Sequence, residues 1–187
     1  MGKKNSDNGG QEFIAFVREF SNESDRAAVI VGAAKLDNLL YQLLQQFLLP
    51  VPSGNDELLD SEAALGTFSA RINAAFRLGL IDSEYARALH LIRKIRNSFA
   101  HETSSNSLAV GSHRDRIREL VAPLTKFAQY DNLIENGHFG NSEGSSREFR
   151  VALAIACGGL ILALRDLSQI VPQSTIHLIS ANWSRKT

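Results

Sequence analysis

The sequence has little of what stabilises a secreted protein or binds a metal. Cys157 is the single cysteine among 187 residues, and one cysteine cannot form an internal disulfide. Its neighbours are apolar, so we expect a small buried side chain there. The five histidines are scattered and lack the spacing of metal ligands, so neither a metal nor a cofactor is expected. Because no signal peptide is recognisable, we expect a cytoplasmic protein.

An excess of charge and a long apolar run are also missing. Acidic and basic residues number 20 each, which gives a formal net charge of zero. Any nucleic-acid binding must therefore come from a local basic patch. No recognition-helix pattern is visible, and direct DNA binding is not expected. The longest apolar run, residues 151 to 164, is shorter than the roughly 20 residues that span a bilayer. It predicts a buried core helix, and no membrane partner.

The motifs of most common enzyme classes are absent as well. The sequence contains no glycine-rich phosphate loop, no HExxH zinc motif and no nucleophile elbow. What it contains is apolar residues at three- and four-residue spacing, which is typical of amphipathic helices. The pattern predicts an all-α, single-domain bundle of about five or six helices over residues 11–171. Polar composition predicts a disordered tail at 1–10, and a second tail follows at 172–187.

Capping residues and helix breakers set the expected limits of each helix. The predicted segments, with their candidate caps, are 11–20, 23–49 (Ser21 or Ser24), 65–80 (Thr67 or Ser69), a helix from Asp82 or Ser83 to about 101, 113–130 with a kink at Pro123, and 147–171. The second helix has an apolar face wide enough to lie at the centre of the bundle or to be shared between chains. The Gly/Asn/Ser-rich stretch 131–146 predicts a mobile loop.

Candidate chemistry is concentrated in residues 89–102, LHLIRKIRNSFAHE. Arg93, Lys94 and Arg96 lie opposite an apolar stripe, and Asn97 and His101 follow them. An arginine and a histidine can cleave RNA without a metal. The histidine acts as general base or acid, and the arginine stabilises charge on the phosphate. Asn97 is positioned to orient either group.

Helix geometry limits how Arg96 and His101 can meet. Five residues of regular helix turn through about 500°, which leaves the two side chains roughly 140° apart. They reach one phosphate if the helix ends near Ala100, or if two copies of the helix face each other in a symmetric dimer. The alternative is structural: Arg96 is then a solvated helix cation, and His101 a helix-end residue favoured by the helix dipole.

The Arg96-x4-His101 element, with Asn97 straight after the arginine, resembles the motif of the HEPN superfamily. More specifically, four blocks are similar to the mannitol operon repressor-like (MltR) family: residues 23–28, 65–72, 78–81 and 92–101. The HEPN resemblance implies a helical bundle that dimerises around the motif. It also implies a metal-independent endoribonuclease of toxin–antitoxin or antiviral-defence type, with RNA as substrate and an antitoxin or regulatory protein as possible partner. The MltR resemblance implies a non-catalytic transcriptional regulator or protein-binding module.

Three further groups of charged residues have a possible role in binding. Asp25 and Arg26 lie in the first resembling block, so they either support the Arg96/His101 site or form an ordinary helix start with a surface ion pair. Arg93 and Lys94 would extend a binding face. Arg114, Arg116 and Arg118 have acidic neighbours and indicate a solvated face more than a phosphate-binding one. A purely architectural protein, using its apolar faces for assembly, is the third reading of the chain.

Overall fold

The computed structural model describes residues 17–18, 20–51, 54–101, 107–136 and 139–171, and within them the chain is an all-α bundle. Its six helices, numbered here in chain order, are α1 (Asp25–Phe47), α2 (Phe68–Arg77), α3 (Ser83–His101), α4 (Gly111–Val121), α5 (Ala128–Asn136) and α6 (Gly144–Asp166). These described residues contain no strand, so the all-α prediction is confirmed. The predicted tails and most of the predicted helix 11–20 lie outside the described residues, although Val17, Arg18 and Phe20 are helical.

Helix α1 is the centre of the bundle and packs against α2, α3 and α6. Its fully buried residues share one wide face of roughly 160° around the helix: Ala28, Val29, Leu36, Leu40, Leu43 and Leu44. Gly32 of α1 meets Leu153 of α6 so closely that a Cβ atom would lie 2.1 Å from the leucine side chain. A small residue at this position therefore lets the two longest helices approach each other, as the wide apolar face predicted.

Side-chain caps start three helices where the sequence suggested them. Ser24 Oγ accepts from the Ala27 N–H, and Thr67 Oγ1 accepts from the Ala70 N–H, both at 3.2 Å. Asp82 Oδ1 accepts from the Tyr85 N–H at 2.7 Å. Each bond satisfies one N–H group that has no partner within its helix. These caps fix the starts of α1, α2 and α3, and so the orientation of the stretch that contains Arg96 and His101.

Two predictions for residues 113–146 are wrong. The helix does not kink at Pro123 but ends at Val121, and a 3₁₀ turn over Leu124–Lys126 precedes α5. Proline has no N–H group and its ring collides with the preceding turn, which favours an end over a bend. The stretch 131–146 is not a loop throughout. Its first part belongs to α5, and α6 already begins at Gly144, where φ is +49°.

The last helix also ends earlier than predicted. It stops at Asp166, and residues 167–171 run beside the end of α1, where the Ile170 N–H donates to the Phe47 carbonyl at 2.7 Å. Cys157 is buried in α6 as expected, and burial raises the pKa of its thiol to about 12. Among the described helices, α1 has the length and hydropathy of a membrane span, but half of that stretch is buried inside the fold.

Candidate functional site

An open groove lies at the C-terminal end of α3, where the sequence placed the candidate chemistry. Lys94, Asn97, Ser98 and His101 line it from α3, and Arg116 lines it from α4. We call this the His101 groove. The imidazole of His101 and the ammonium group of Lys94 are exposed, whereas Asn97, Ser98 and Arg116 are half-buried. The groove thus offers one titratable ring, two cations and two neutral polar groups to a ligand.

The regular geometry of α3 explains which residues share this groove. At 100° per residue, Lys94, Asn97, Ser98 and His101 fall within a sector of roughly 100°. The apolar residues on the opposite side, Ile92, Ile95 and Phe99, are fully buried in the core. The helix remains regular through His101. It ends at His101, one residue after Ala100, and because Arg96 and His101 both lie on regular helix their side chains stay on different sides of it.

Arg96 lies outside the lining of the groove but reaches its edge. Its Nη1 donates to the side-chain oxygen of the next residue, Asn97 Oδ1, at 3.0 Å. The Arg96 guanidinium is half-buried, and helix geometry directs it about 140° away from His101. Asn97 shares a face with His101 and contacts Arg96, so it connects the two.

Helix α4 completes the groove and braces the last turn of α3. The rings of Phe99 and His113 pack at 4.7 Å between centroids, and both residues are buried. One helical turn further along α4, Arg116 Nη1 donates to Ser98 Oγ at 3.1 Å. The contact between the Phe99 and His113 rings therefore positions α4 against α3 so that Arg116 lies in the groove.

The electrostatics of this end of α3 are one-sided. Arg93, Lys94, Arg96 and Arg116 have no carboxylate oxygen within 4.0 Å among the described residues. Cations without internal counterions leave a local positive potential, even in a chain of zero net charge. Such a patch attracts phosphate or another anion. In the described part of the chain, no cluster of His, Cys, Asp or Glu side chains could hold a metal ion.

Two predicted supporting residues do not line the groove. Arg93 is half-buried on the flank of α3, and its buried Nε atom has no hydrogen-bond partner in the described structure. Arg26 is exposed in the first turn of α1. Lys94 is thus the one member of this predicted group that the fold brings to His101 and Asn97.

Asp25 is neither a surface ion-pair residue nor a direct contact of the groove. It accepts hydrogen bonds from Arg150 Nη1 at 2.9 Å, from Ser146 Oγ at 2.6 Å and from the Leu108 N–H at 3.4 Å. The Arg150 side chain is only 2% exposed, and its Nη2 also donates to the Glu23 carbonyl at 2.7 Å. This Asp25 cluster ties the start of α1 to the start of α6 and to the segment that follows α3.

The pKa of the Asp25 carboxyl reflects these partners. Burial raises this pKa. The hydrogen bonds from Ser146, Arg150 and Leu108, together with the Arg150 charge, lower it by more than burial raises it. The net result is a pKa below the ordinary value of 3.8. Asp25 is therefore held as a carboxylate whose role is structural, although through Leu108 it also anchors the chain beyond His101.

Sequence reasoning missed Arg116 and Ser98 as members of the groove. Arg116 was grouped with Arg114 and Arg118, which are exposed and lie 3.9 Å from Asp115. The signal that separates Arg116 is its position three residues after His113 and one before Ile117, on the edge of the buried face of α4. No spacing rule within α3 points to a partner on another helix.

Comparisons with protein-family models, with curated proteins and with solved structures find no match for this chain. The resemblance to the HEPN and MltR families therefore stays a prediction from short blocks of sequence. The features that point to a function are the His101 groove, its cations without a carboxylate partner among the described residues, and the contact between Arg96 and Asn97.

Proposed function

We propose that this protein is a metal-independent endoribonuclease of HEPN type that acts as a homodimer. The observation that carries the proposal is the exposed His101 imidazole in a groove with Lys94 and Arg116, with Arg96 held at its edge by Asn97. A general acid–base group beside unpaired cations is what cleavage of a phosphodiester without a metal requires.

The chemistry assigns a role to each group. A histidine takes the proton from a ribose 2′-hydroxyl, whose oxygen attacks the adjacent phosphorus. The bond from phosphorus to the 5′-oxygen breaks, and that oxygen receives a proton from a histidine acting as acid. The products are a 2′,3′-cyclic phosphate and a 5′-hydroxyl end. Arg96 stabilises the charge that develops on the phosphate, and Asn97 holds its guanidinium.

A second copy of the chain supports this arrangement better than one copy alone. Because α3 is regular through His101, its own Arg96 is directed to a different side of the helix. Two α3 helices facing each other would place the arginine of one protomer near the histidine of its partner, at a site on the dimer axis. Arg116 is the competing phosphate ligand, since it already shares the groove with His101 in one protomer.

The first experiment is a cleavage assay with the full-length protein, using structured and unstructured RNA in EDTA. His101→Ala should lower the rate by about 10²- to 10⁴-fold, and Arg96→Ala by about 10²- to 10³-fold. Arg118→Ala is the matched control, because this exposed arginine lies on α4 outside the groove. Cleavage that EDTA abolishes, or that survives His101→Ala, would contradict the proposal.

Mixing two inactive variants tests the dimer. If the site draws Arg96 and His101 from different protomers, a reassociated mixture of Arg96→Ala and His101→Ala chains should regain part of the activity. If Arg116 and His101 of one protomer suffice, the Arg96→Ala protein should cleave RNA by itself, and mixing it with His101→Ala chains should add no activity. Arg116→Ala would then abolish cleavage where Arg96→Ala does not.

One observation favours the alternative, a non-catalytic regulator or protein-binding module. Leu124, Phe127 and Ile155 line an apolar groove between α3, the 3₁₀ turn and α6, and Phe127 is 59% exposed. An exposed aromatic ring beside a groove is typical of a protein-binding surface. Phe127→Ala should weaken capture of a regulatory partner without changing RNA cleavage.

A further inference from the structure

A second groove continues from the His101 groove along α3. Lys94 lines both, and beyond it the polar and aromatic lining of the second groove consists of Asn73 and Phe76 of α2, Ser83, Arg87 and His90 of α3, and Glu119 of α4. Along α3 these residues follow three- and four-residue spacing up to His101, so they form one polar stripe. His90 and His101 are eleven residues apart, or about 16 Å along the helix axis.

Phe76 is the unexpected member of this second groove. It follows Ala75 in the apolar pattern of α2, yet it is 43% exposed, whereas Phe68, Ile72 and Ala75 are buried. Burying an aromatic ring is worth much free energy. A ring that stays exposed at the wall of an open groove is available to stack against a flat ligand.

Asn73 and His90 place hydrogen-bonding groups in the same groove as this ring. His90 Nε2 and Asn73 Oδ1 are 3.0 Å apart. Because an amide oxygen can only accept, the His90 Nε2–H donates to Asn73. Burial lowers the pKa of His90, and the neighbouring Arg93 and Lys94 lower it further. The Asn73 amide N–H groups, which have no protein partner among the described residues, can then meet an acceptor on a ligand.

The polarity of the groove changes beyond His90. Arg87 donates to Glu119 Oε1 through Nη2 at 2.6 Å and through Nε at 3.0 Å, so the two charges that line this part of the groove neutralise each other, and Glu84 lies outside it. An anionic chain is attracted to Lys94, Arg116 and His101 but not past this ion pair. The favoured ligand therefore has its phosphates at the His101 groove and a less charged part at Phe76.

We propose that Phe76 and Asn73 form a nucleobase subsite, which binds a base of single-stranded RNA next to the phosphate held at Lys94 and His101. This proposal rests on the proposed ribonuclease function and specifies its substrate. Aromatic side chains stack on bases that are free of pairing, and amide groups contact the base edges. A base within a duplex would not present its face to Phe76, so the subsite favours unpaired RNA.

The test measures binding of a short, fluorescent, 2′-O-methyl oligonucleotide to the full chain by anisotropy at one fixed salt concentration. Without a free 2′-hydroxyl the probe cannot be cleaved. Phe76→Leu should weaken binding by about tenfold, and Asn73→Ala should weaken it independently. Phe127→Leu is the control, since that phenylalanine is also exposed but lies in a different groove. An abasic probe of equal length, which keeps the phosphates, should bind wild type and Phe76→Leu equally.

Each result has one meaning. The subsite is overturned if the wild-type protein binds no oligonucleotide. It is also overturned if Phe76→Leu weakens binding of the abasic probe as much as binding of the probe that carries bases. A third contradicting result is a Phe76→Leu variant with unchanged oligonucleotide affinity but a changed molar mass in light scattering, because Phe76 would then contact a second copy of the chain. Cleavage that needs His101 but not Phe76 refutes the subsite and leaves the ribonuclease function intact. Base-dependent binding without any cleavage refutes the ribonuclease function and leaves the subsite.

Discussion

Two clusters of charged side chains lie where α1 and α6 begin and α3 ends, and they differ in whether a carboxylate among the described residues neutralises them. In the Asp25 cluster, the buried Arg150 has a carboxylate at 2.9 Å and a carbonyl at 2.7 Å. At the His101 groove, Lys94 and Arg116 have no carboxylate partner among the described residues. Charges that the chain neutralises hold the fold together, whereas unneutralised charges are available to a ligand.

Removing the carboxylate of the Asp25 cluster should have the largest effect on stability. Asp25→Ala leaves Arg150 buried with an unpaired charge, and the free energy of unfolding should fall by about 3 kcal/mol. Urea titration measures the change. Arg87→Ala serves as the control, because its exposed ion pair with Glu119 should contribute below about 1 kcal/mol. Equal losses in the two variants would show that the Asp25 cluster is no more structural than a surface pair.

The importance of Asp25 also marks a limit of the sequence. Local signals placed the helices well, since Ser24, Thr67 and Asp82 cap them as their residue types predicted. Asp25 resembled any helix-start carboxylate, because its partner Arg150 is 125 residues away. In the sequence, Arg150 is a charged residue directly before the apolar run 151–164, and no periodicity indicates that it is buried.

The same limit applies to the candidate site. Lys94, Asn97 and His101 share a face at helical spacing, so their meeting was predictable. Arg116 joins them only through the packing of Phe99 on His113, which is a tertiary contact. Phe76 is the opposite case, because an apolar residue is expected to be buried. Its position on α2 instead exposes the ring at the wall of the second groove. Contacts between helices decide both cases.

Acid should weaken the Asp25 cluster over a defined pH range. Its folded pKa lies below 3.8, so the folded state binds fewer protons than the unfolded state. The stabilisation is complete above the unfolded pKa and is lost as pH falls through the folded pKa. Urea midpoints measured from about pH 6 to about pH 3 should fall more steeply for wild type than for Asp25→Asn. Parallel curves would mean that the carboxylate is not linked to folding.

At the His101 groove, truncation should change ligand binding more than stability. Arg116→Ala removes a hydrogen bond to Ser98 that is worth about 1 kcal/mol. Its larger effect should be on RNA binding, where the slope of log affinity against log salt should decrease by about 1. Arg114→Ala is the neighbouring control, because that arginine is exposed outside the groove. An unchanged slope would exclude Arg116 from the phosphate site.

The smallest change in stability is expected for Lys94→Ala. Lys94 has no carboxylate partner among the described residues, so its charge should affect the pKa of the neighbouring His90. Burial, Arg93 and Lys94 all lower the pKa of His90 from 6.5, so the folded state binds fewer protons than the unfolded state below that pH. Stability should therefore decrease as pH falls through the unfolded pKa.

Lys94→Ala removes one of the repelling charges, and the His90 pKa, followed by NMR, should move up towards 6.5. The free energy of unfolding should change by less than about 0.5 kcal/mol. If the pKa instead stays in place, the Lys94 charge is screened by solvent or by an ion, and the patch has less positive potential than its lack of carboxylates indicates.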